Sequence, residues 1–140
     1  MKTATQTIVT LCIALIMGAC TCNNGDIGNW FGTWHVASIT IDGEKTDSNG
    51  SDYFFQFQST VFRAVQVKEH EEAIESYGTW EESGQAMTVT FPDPAVFYIQ
   101  MPGLEAANAF TVTGGGSGKA TFSKTCSDGK HVVYQLEKQP

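Results

Sequence analysis

Short runs of alternating residues, rich in Val, Thr, Phe, Tyr and Ile and separated by turn chemistry, dominate the chain from Trp30 onward. They read WFGTWHVASITID, DYFFQFQ, VFRAVQVKE, AIESYGTWEE, AMTVTF, VFYIQM, NAFTVT, KATFSKT and HVVYQLEK. Successive side chains of a strand point to opposite faces, so a period of two buries one face and leaves the other in water. Asp42-Gly43, Ser59-Thr60, Ser83-Gly84 and Ser127-Asp128-Gly129 supply residues suited to tight turns. No segment sustains a 3.6-residue apolar period, and GLEAANA at residues 103–109 would make one helical turn at most. The expectation is all-β. Eight or nine sequential strands with short turns suggest an antiparallel up-and-down barrel of about eight strands, closed so that no edge is exposed. A two-sheet β-sandwich is the alternative.

The first 19 residues read as a signal peptide: Lys2 is a minimal positive region, and the apolar run IVTLCIALIM is half of the ~20 residues a membrane span requires. Residues 20–29 form a polar, Gly-rich tether, and residues 30–140 suit a single domain. Without the leader, seven basic side chains face fifteen acidic ones, a formal charge of −8. Such a surface repels phosphate backbones, so no nucleic-acid partner is expected.

Motifs that would carry chemistry fail on inspection. TGGGSGKA at residues 113–120 has Thr where a phosphate loop needs its first Gly, and Ala where it needs Ser or Thr. KEHEEAIE places His70 among four glutamates, but neighbours on a strand face opposite ways and one imidazole selects poorly, so a solvated hairpin tip is expected and no metal. His35 and His131 stand isolated on strands. No Gly-x-Ser-x-Gly elbow, His-Glu-x-x-His pair or catalytic cysteine setting is present, so neither catalytic residues nor a cofactor are expected and the chain does not read as an enzyme.

Arg63 is the sole arginine. A two-residue turn at Ser59-Thr60 would pair Phe57 with Phe62 and Phe55 with Ala64, sending Arg63 outward beside Gln56. A three-residue turn would bring it onto the face of Tyr53, Phe55 and Phe57. Two-residue hairpins are the commonest, so outward is expected.

Gly18-Ala19-Cys20 resembles the bacterial lipobox, with Met17 where leucine is commoner. The resemblance implies that Cys20 takes a diacylglyceryl thioether, is acylated further by a fatty acid such as palmitate, and becomes the mature N-terminus. Ordinary signal cleavage near Ala19 is the alternative. Each buried methylene of an acyl chain contributes about 0.8 kcal/mol, so several chains anchor firmly. The implied setting is the bacterial cell envelope, in the outer membrane facing the periplasm or at the cell surface. One acid among the six residues after Cys20 is a poor case for an acidic surface-export signal.

Gly32-Thr33-Trp34 opens the first strand after the tether, and Gly78-Thr79-Trp80 repeats it 46 positions on. With MTVTF and the closing VVYQLEK, this pattern resembles the lipocalins, and more closely the lipocalin-like domains of bacterial lipoproteins. The Thr-Asp-Tyr loop of lipocalins is absent from PGLEAANAF, and the arginine that covers the tryptophan at the end of their last strand is matched here by Lys138. In such a barrel the first strand runs up from Trp34 and the fourth runs down to Trp80. Both indoles then seal one end, with Gly32 and Gly78 allowing tight coiling and Lys138 over Trp34. Cys126 falls at the other end of the last strand. A disulfide with Cys22 would have to cross roughly 25 Å of barrel height.

Two functions fit an eight-stranded interior, which is just wide enough to be filled by side chains or to hold one small ligand. The first is a membrane-anchored, non-catalytic binding module for a small apolar or amphipathic ligand. Its candidate lining is Tyr53, Phe55, Phe57, Phe62, Phe91, Tyr98, Phe110, Phe122 and Tyr134. The second is a filled-barrel accessory lipoprotein that acts through its outer surface on an envelope protein partner.

Overall fold

Alternation becomes a single closed sheet. The computed structural model describes residues 30–48, 50–93 and 99–140. Its strands are β1 (Gly32–Ile41), β2 (Glu44–Lys45), β3 (Ser51–Gln58), β4 (Val61–Lys68), β5 (Ile74–Ser83), β6 (Ala86–Thr90), β7 (Ala107–Gly114), β8 (Lys119–Thr125) and β9 (His131–Lys138). The pairing order is β2-β1-β3-β4-β5-β6-β7-β8-β9, and β1 also pairs with β9, so eight strands close an antiparallel barrel. That closure excludes the sandwich. Two-residue β2 folds back onto the top of β1 through Asp42 (φ 51°) and Gly43 (φ 85°), both left-handed as a tight hairpin turn demands. There is no helix among the described residues, and none long and apolar enough to cross a membrane.

The β3–β4 hairpin has the two-residue turn. Phe57 faces Phe62, Phe55 faces Ala64 and Gln56 faces Arg63. Inward residues at period two then build one core of aromatic and aliphatic side chains. At the β5–β6 turn the loop residues are Gly84 and Gln85, with Ser83 still paired to Ala86.

VFYIQM does not supply a strand where it is described: residues 99–101 are irregular, although Ile99 and Met101 are buried. Residues 103–106 form no helical turn either. The alternation of Ile99 and Met101 is real, but a segment crossing the barrel mouth, rather than a paired strand, produces it.

Candidate functional site

The chain enters at the lower end of the barrel, where tryptophans form a plug. Trp34, near the start of β1, is fully buried, and its Nε1 donates to the Trp30 carbonyl at 2.9 Å. Trp30, just before the strand, lies 5.6 Å from the Trp34 ring, 5.2 Å from Phe122 and 6.3 Å from Phe57, and its Nε1 donates to the Glu82 carboxylate. Trp80 joins through Phe57, at 5.1 Å and nearly perpendicular. It is only partly buried, a correction to the expectation that both repeated tryptophans would be sealed inside, and its Nε1 has no hydrogen-bond partner among the described residues. Trp30 takes the inner place. The Lys138 ammonium sits 5.7 Å from the Trp34 ring centroid, where its charge meets the negative face of the indole. The two glycines serve different ends. Gly32 adopts φ +117°, whereas a Cβ on Gly78 would lie 2.2 Å from the Thr90 carbonyl oxygen.

Above the plug the interior is a stack of rings. Phe55 lies 5.0 Å from Phe62 and 5.6 Å from Tyr134, and Phe110 lies 5.3 Å from Phe122. Phe91 reaches Phe62 at 5.8 Å. Such separations are those that aromatic pairs prefer. Tyr53, Phe55, Phe57, Phe62, Phe91, Phe110, Phe122 and Tyr134 are all buried, so the expected lining is brought together. Tyr98 lies outside the described residues, as do Cys20 and Cys22.

The upper mouth is crossed by residues 99–106, fastened from seven strands or their ends, including β7, where Asn108 Nδ2 donates to the Glu105 carbonyl at 2.7 Å. Ile99 N donates to Ser76 Oγ on β5 at 3.2 Å, and Gln100 N to Gln66 Oε1 on β4 at 3.0 Å. The Tyr53 hydroxyl on β3 donates to the Gln100 carbonyl at 2.9 Å, and Tyr134 on β9 to the Pro102 carbonyl at 2.6 Å. Phe91 N, just past β6, donates to the Ala106 carbonyl at 2.7 Å. From β8, the buried Lys124 ammonium donates to the Gly103 carbonyl at 2.7 Å, Glu105 Oε1 at 2.9 Å and Asn108 Oδ1 at 2.6 Å. Hydrogen bonds from the Ser127 hydroxyl and the Lys124 ammonium hold the Glu105 carboxyl down at about 2. Burial raises the Tyr134 phenol and the Cys126 thiol above their ordinary values, which keeps both neutral. Gln66, Ser76, Asn108 and Lys124 were absent from the sequence-based candidates. Alternation with Phe62 and Ala64, with Phe110 and Val112, and with Ala120 and Phe122 already put Gln66, Asn108 and Lys124 on the inner face.

On the barrel side, the β1–β3 ladder stops at His35 opposite Phe54, and a bulge at residues 36–38 carries the upper half of β1 along β9. A cleft of about 170 Å³ opens there, lined by His35, Val36, Ile39, Lys45, Ser51 and Tyr53 among others. Arg63 points outward as expected. It donates to Gln56 Oε1 at 2.8 Å, pairs with the Glu75 carboxylate and lies 5.9 Å from the Tyr77 ring centroid. His70 is exposed in the β4–β5 tip, and no cluster of three or more potential metal ligands occurs among the described residues. Cys126, just past β8, stands at the upper end, opposite the end where the chain enters; among the described residues its thiol is in no disulfide and donates to the Gly103 carbonyl at 3.4 Å.

A lipocalin-like domain family matches residues 14–139. No curated protein matches significantly. Among solved structures, a lipocalin-like protein from Bacteroides uniformis is 20% identical, with a TM-score of 0.60, over 80% of this chain and 100% of its own. An uncharacterized protein from Bacteroides eggerthii is 18% identical, with a TM-score of 0.57, over 79% of this chain and 99% of its own. A redesigned β-barrel is 20% identical, with a TM-score of 0.50, over 80% of this chain and 93% of its own. At these identities the likeness is one of fold.

Proposed function

Since the chain belongs to the lipocalin-like domain family, whose fold suits a binding module, we propose that it is a lipid-anchored, non-catalytic binding module of the bacterial cell envelope. In this reading Cys20 carries the anchor, the barrel faces the periplasm, and the outer surface engages an envelope partner. The observation that carries the choice of surface over interior is the ring stack: the barrel's own aromatic side chains, in mutual contact, occupy the place a ligand would take. A second reading, a small amphipathic ligand, is favoured by the side cleft, which puts apolar Val36 and Ile39 next to Lys45 and Ser51.

Mass spectrometry of the membrane fraction tests the anchor. The expected result is a mature chain beginning at an acylated Cys20, with Cys20→Ala left unacylated and released from the membrane. An unmodified terminus refutes it. Titration of the purified protein with a fluorescent fatty acid tests the filled interior, for which no saturable uptake is expected. Saturable one-to-one binding that Phe122→Ala abolishes, in a variant still folded by circular dichroism, would transfer the function to the interior. The same preparation should turn over no generic ester or glycoside. Turnover lost on changing a single Asp or Glu would make it an enzyme.

A further inference from the structure

We propose that the lower rim of the barrel is a bilayer-contact surface, with Phe31 and Val61 seated at the boundary between lipid headgroups and acyl chains. The inference rests on the lipid-anchored reading above and adds an orientation to it.

Chain length and topology set the first constraint. The described chain begins at Trp30, at the lower end, ten residues beyond the proposed anchor at Cys20. Ten residues span at most about 35 Å. The lower rim therefore lies within that distance of the membrane, and the β4–β5 tip is at the opposite end of the barrel.

Register supplies the second. Gly32 is opposite Phe57 and Gln58 opposite Val61, so Phe31, one residue before Gly32, is level with Gln58 and two strand spacings from Val61. Two spacings are about 10 Å. Phe31 is 42% exposed and Val61 41%, among the few large apolar side chains open to water. Trp30 turns into the plug while the next residue, Phe31, turns out. An apolar pair on the rim of an anchored protein is placed where the interface accepts aromatic and aliphatic side chains.

Charge decides what kind of contact this is. The mature chain carries a formal −8, and the lower rim mixes Lys119 and Lys138 with Glu81, Glu82 and Glu137. Such a rim gains nothing from anionic headgroups. Insertion of Phe31 and Val61 holds the contact, and salt leaves it unchanged.

The test uses the full chain, anchored through its own acyl groups in phosphatidylcholine vesicles, with Cys22→Ser and Cys126→Ala as background. A nitroxide is placed at Phe31→Cys or Val61→Cys, and at Glu71→Cys in the exposed upper tip as reference. Collision with dissolved oxygen and with a water-soluble nickel chelate reads depth. The expected result is severalfold protection of positions 31 and 61 from nickel relative to position 71, equal at low and high salt. Nickel access equal to that at position 71, in protein that floats with the vesicles, overturns the orientation and leaves the anchor standing. Failure to float, with Cys20 unmodified, overturns the anchor and this inference with it. Protection that falls on dilution and accompanies dipolar coupling between labels assigns the rim to a second copy, and also overturns it.

Discussion

Replacing Glu105 by glutamine should show how the upper mouth is held shut. Lys124 has a side chain only 1% exposed, and its paired carboxylate is Glu105 at 2.9 Å. Glu105→Gln keeps the shape and one acceptor oxygen but removes the charge. Breaking a buried pair from one side costs about 3–5 kcal/mol, because the remaining charge stays buried. Two features place the cost near the lower figure. Gly103 O and Asn108 Oδ1 still accept from the ammonium, and the Glu105 side chain is 31% exposed. About 3 kcal/mol is a large share of the roughly 5–15 kcal/mol that holds a domain folded.

The same pair sets an acid limb. Glu105 is lowered in the fold from an ordinary 4.5 to about 2, so its contribution is full above about pH 4.5 and lost as pH falls towards 2. That lowering corresponds to at most about 3.4 kcal/mol, and water reaching the carboxylate reduces it to roughly 2 kcal/mol. Urea melts followed by tryptophan fluorescence at pH 7, 4.5 and 3 measure both quantities. The gap between wild type and Glu105→Gln should be about 3 kcal/mol at pH 7 and narrow on acidification, since the other carboxylates titrate in both proteins. Parallel pH profiles, or a neutral-pH cost under about 1 kcal/mol, would refute the reasoning, because that is what an ordinary surface ion pair is worth at most.

Trp34→Ala should cost about 3–5 kcal/mol in the same melts, because it empties the centre of the plug. Gly78→Ala should cost about 1–3 kcal/mol, since the 2.2 Å approach to the Thr90 carbonyl forces backbone to move; an unchanged midpoint would mean the strands part freely. Tyr134→Phe should cost about 1 kcal/mol and speed hydrogen exchange at Ile99 and Gln100, because it releases the Pro102 carbonyl from the ring stack. Cys126 should react slowly with a disulfide reagent at neutral pH until urea is added, as burial raises its thiol.

How much of this was readable in the sequence depends on the range of the interaction. The β3–β4 hairpin was readable because two turn residues determine which of Phe57, Phe62 and Arg63 share a face, and the structure has that register. The Lys138 contact with Trp34 was implied by the lipocalin resemblance, in which an arginine at the end of the last strand covers that tryptophan, and the structure has it. By contrast, the described part of VFYIQM, residues 99–101, is no strand, because the backbone of Ile99 and Gln100 is satisfied by the distant side chains of Ser76, Gln66 and Tyr53, which leave no local signal. Trp30 stands outside the repeated Gly-Thr-Trp and carries no motif of its own, so only the fold shows that its indole turns in while that of Trp80 stays partly exposed. A polar residue in phase with inward Phe and Ala, as Lys124 is, was the unused clue to the upper mouth.

The β1–β9 seam joins Trp34 to Lys138 across nearly the whole length of the domain. Its two strands are therefore the first and last of the barrel to be synthesised. Until β9 docks, the sheet has two bare edges, and Trp34, paired with Phe55 on one side, lacks Lys138, which is its ladder partner on the other side and its cation. Contacts this distant in sequence form late and slowly. The folding chain thus passes through an open, adhesive sheet, and loss of the last few residues would leave it in that state. Shortening the C-terminus should lower the yield of folded protein well before it touches any surface a partner would use.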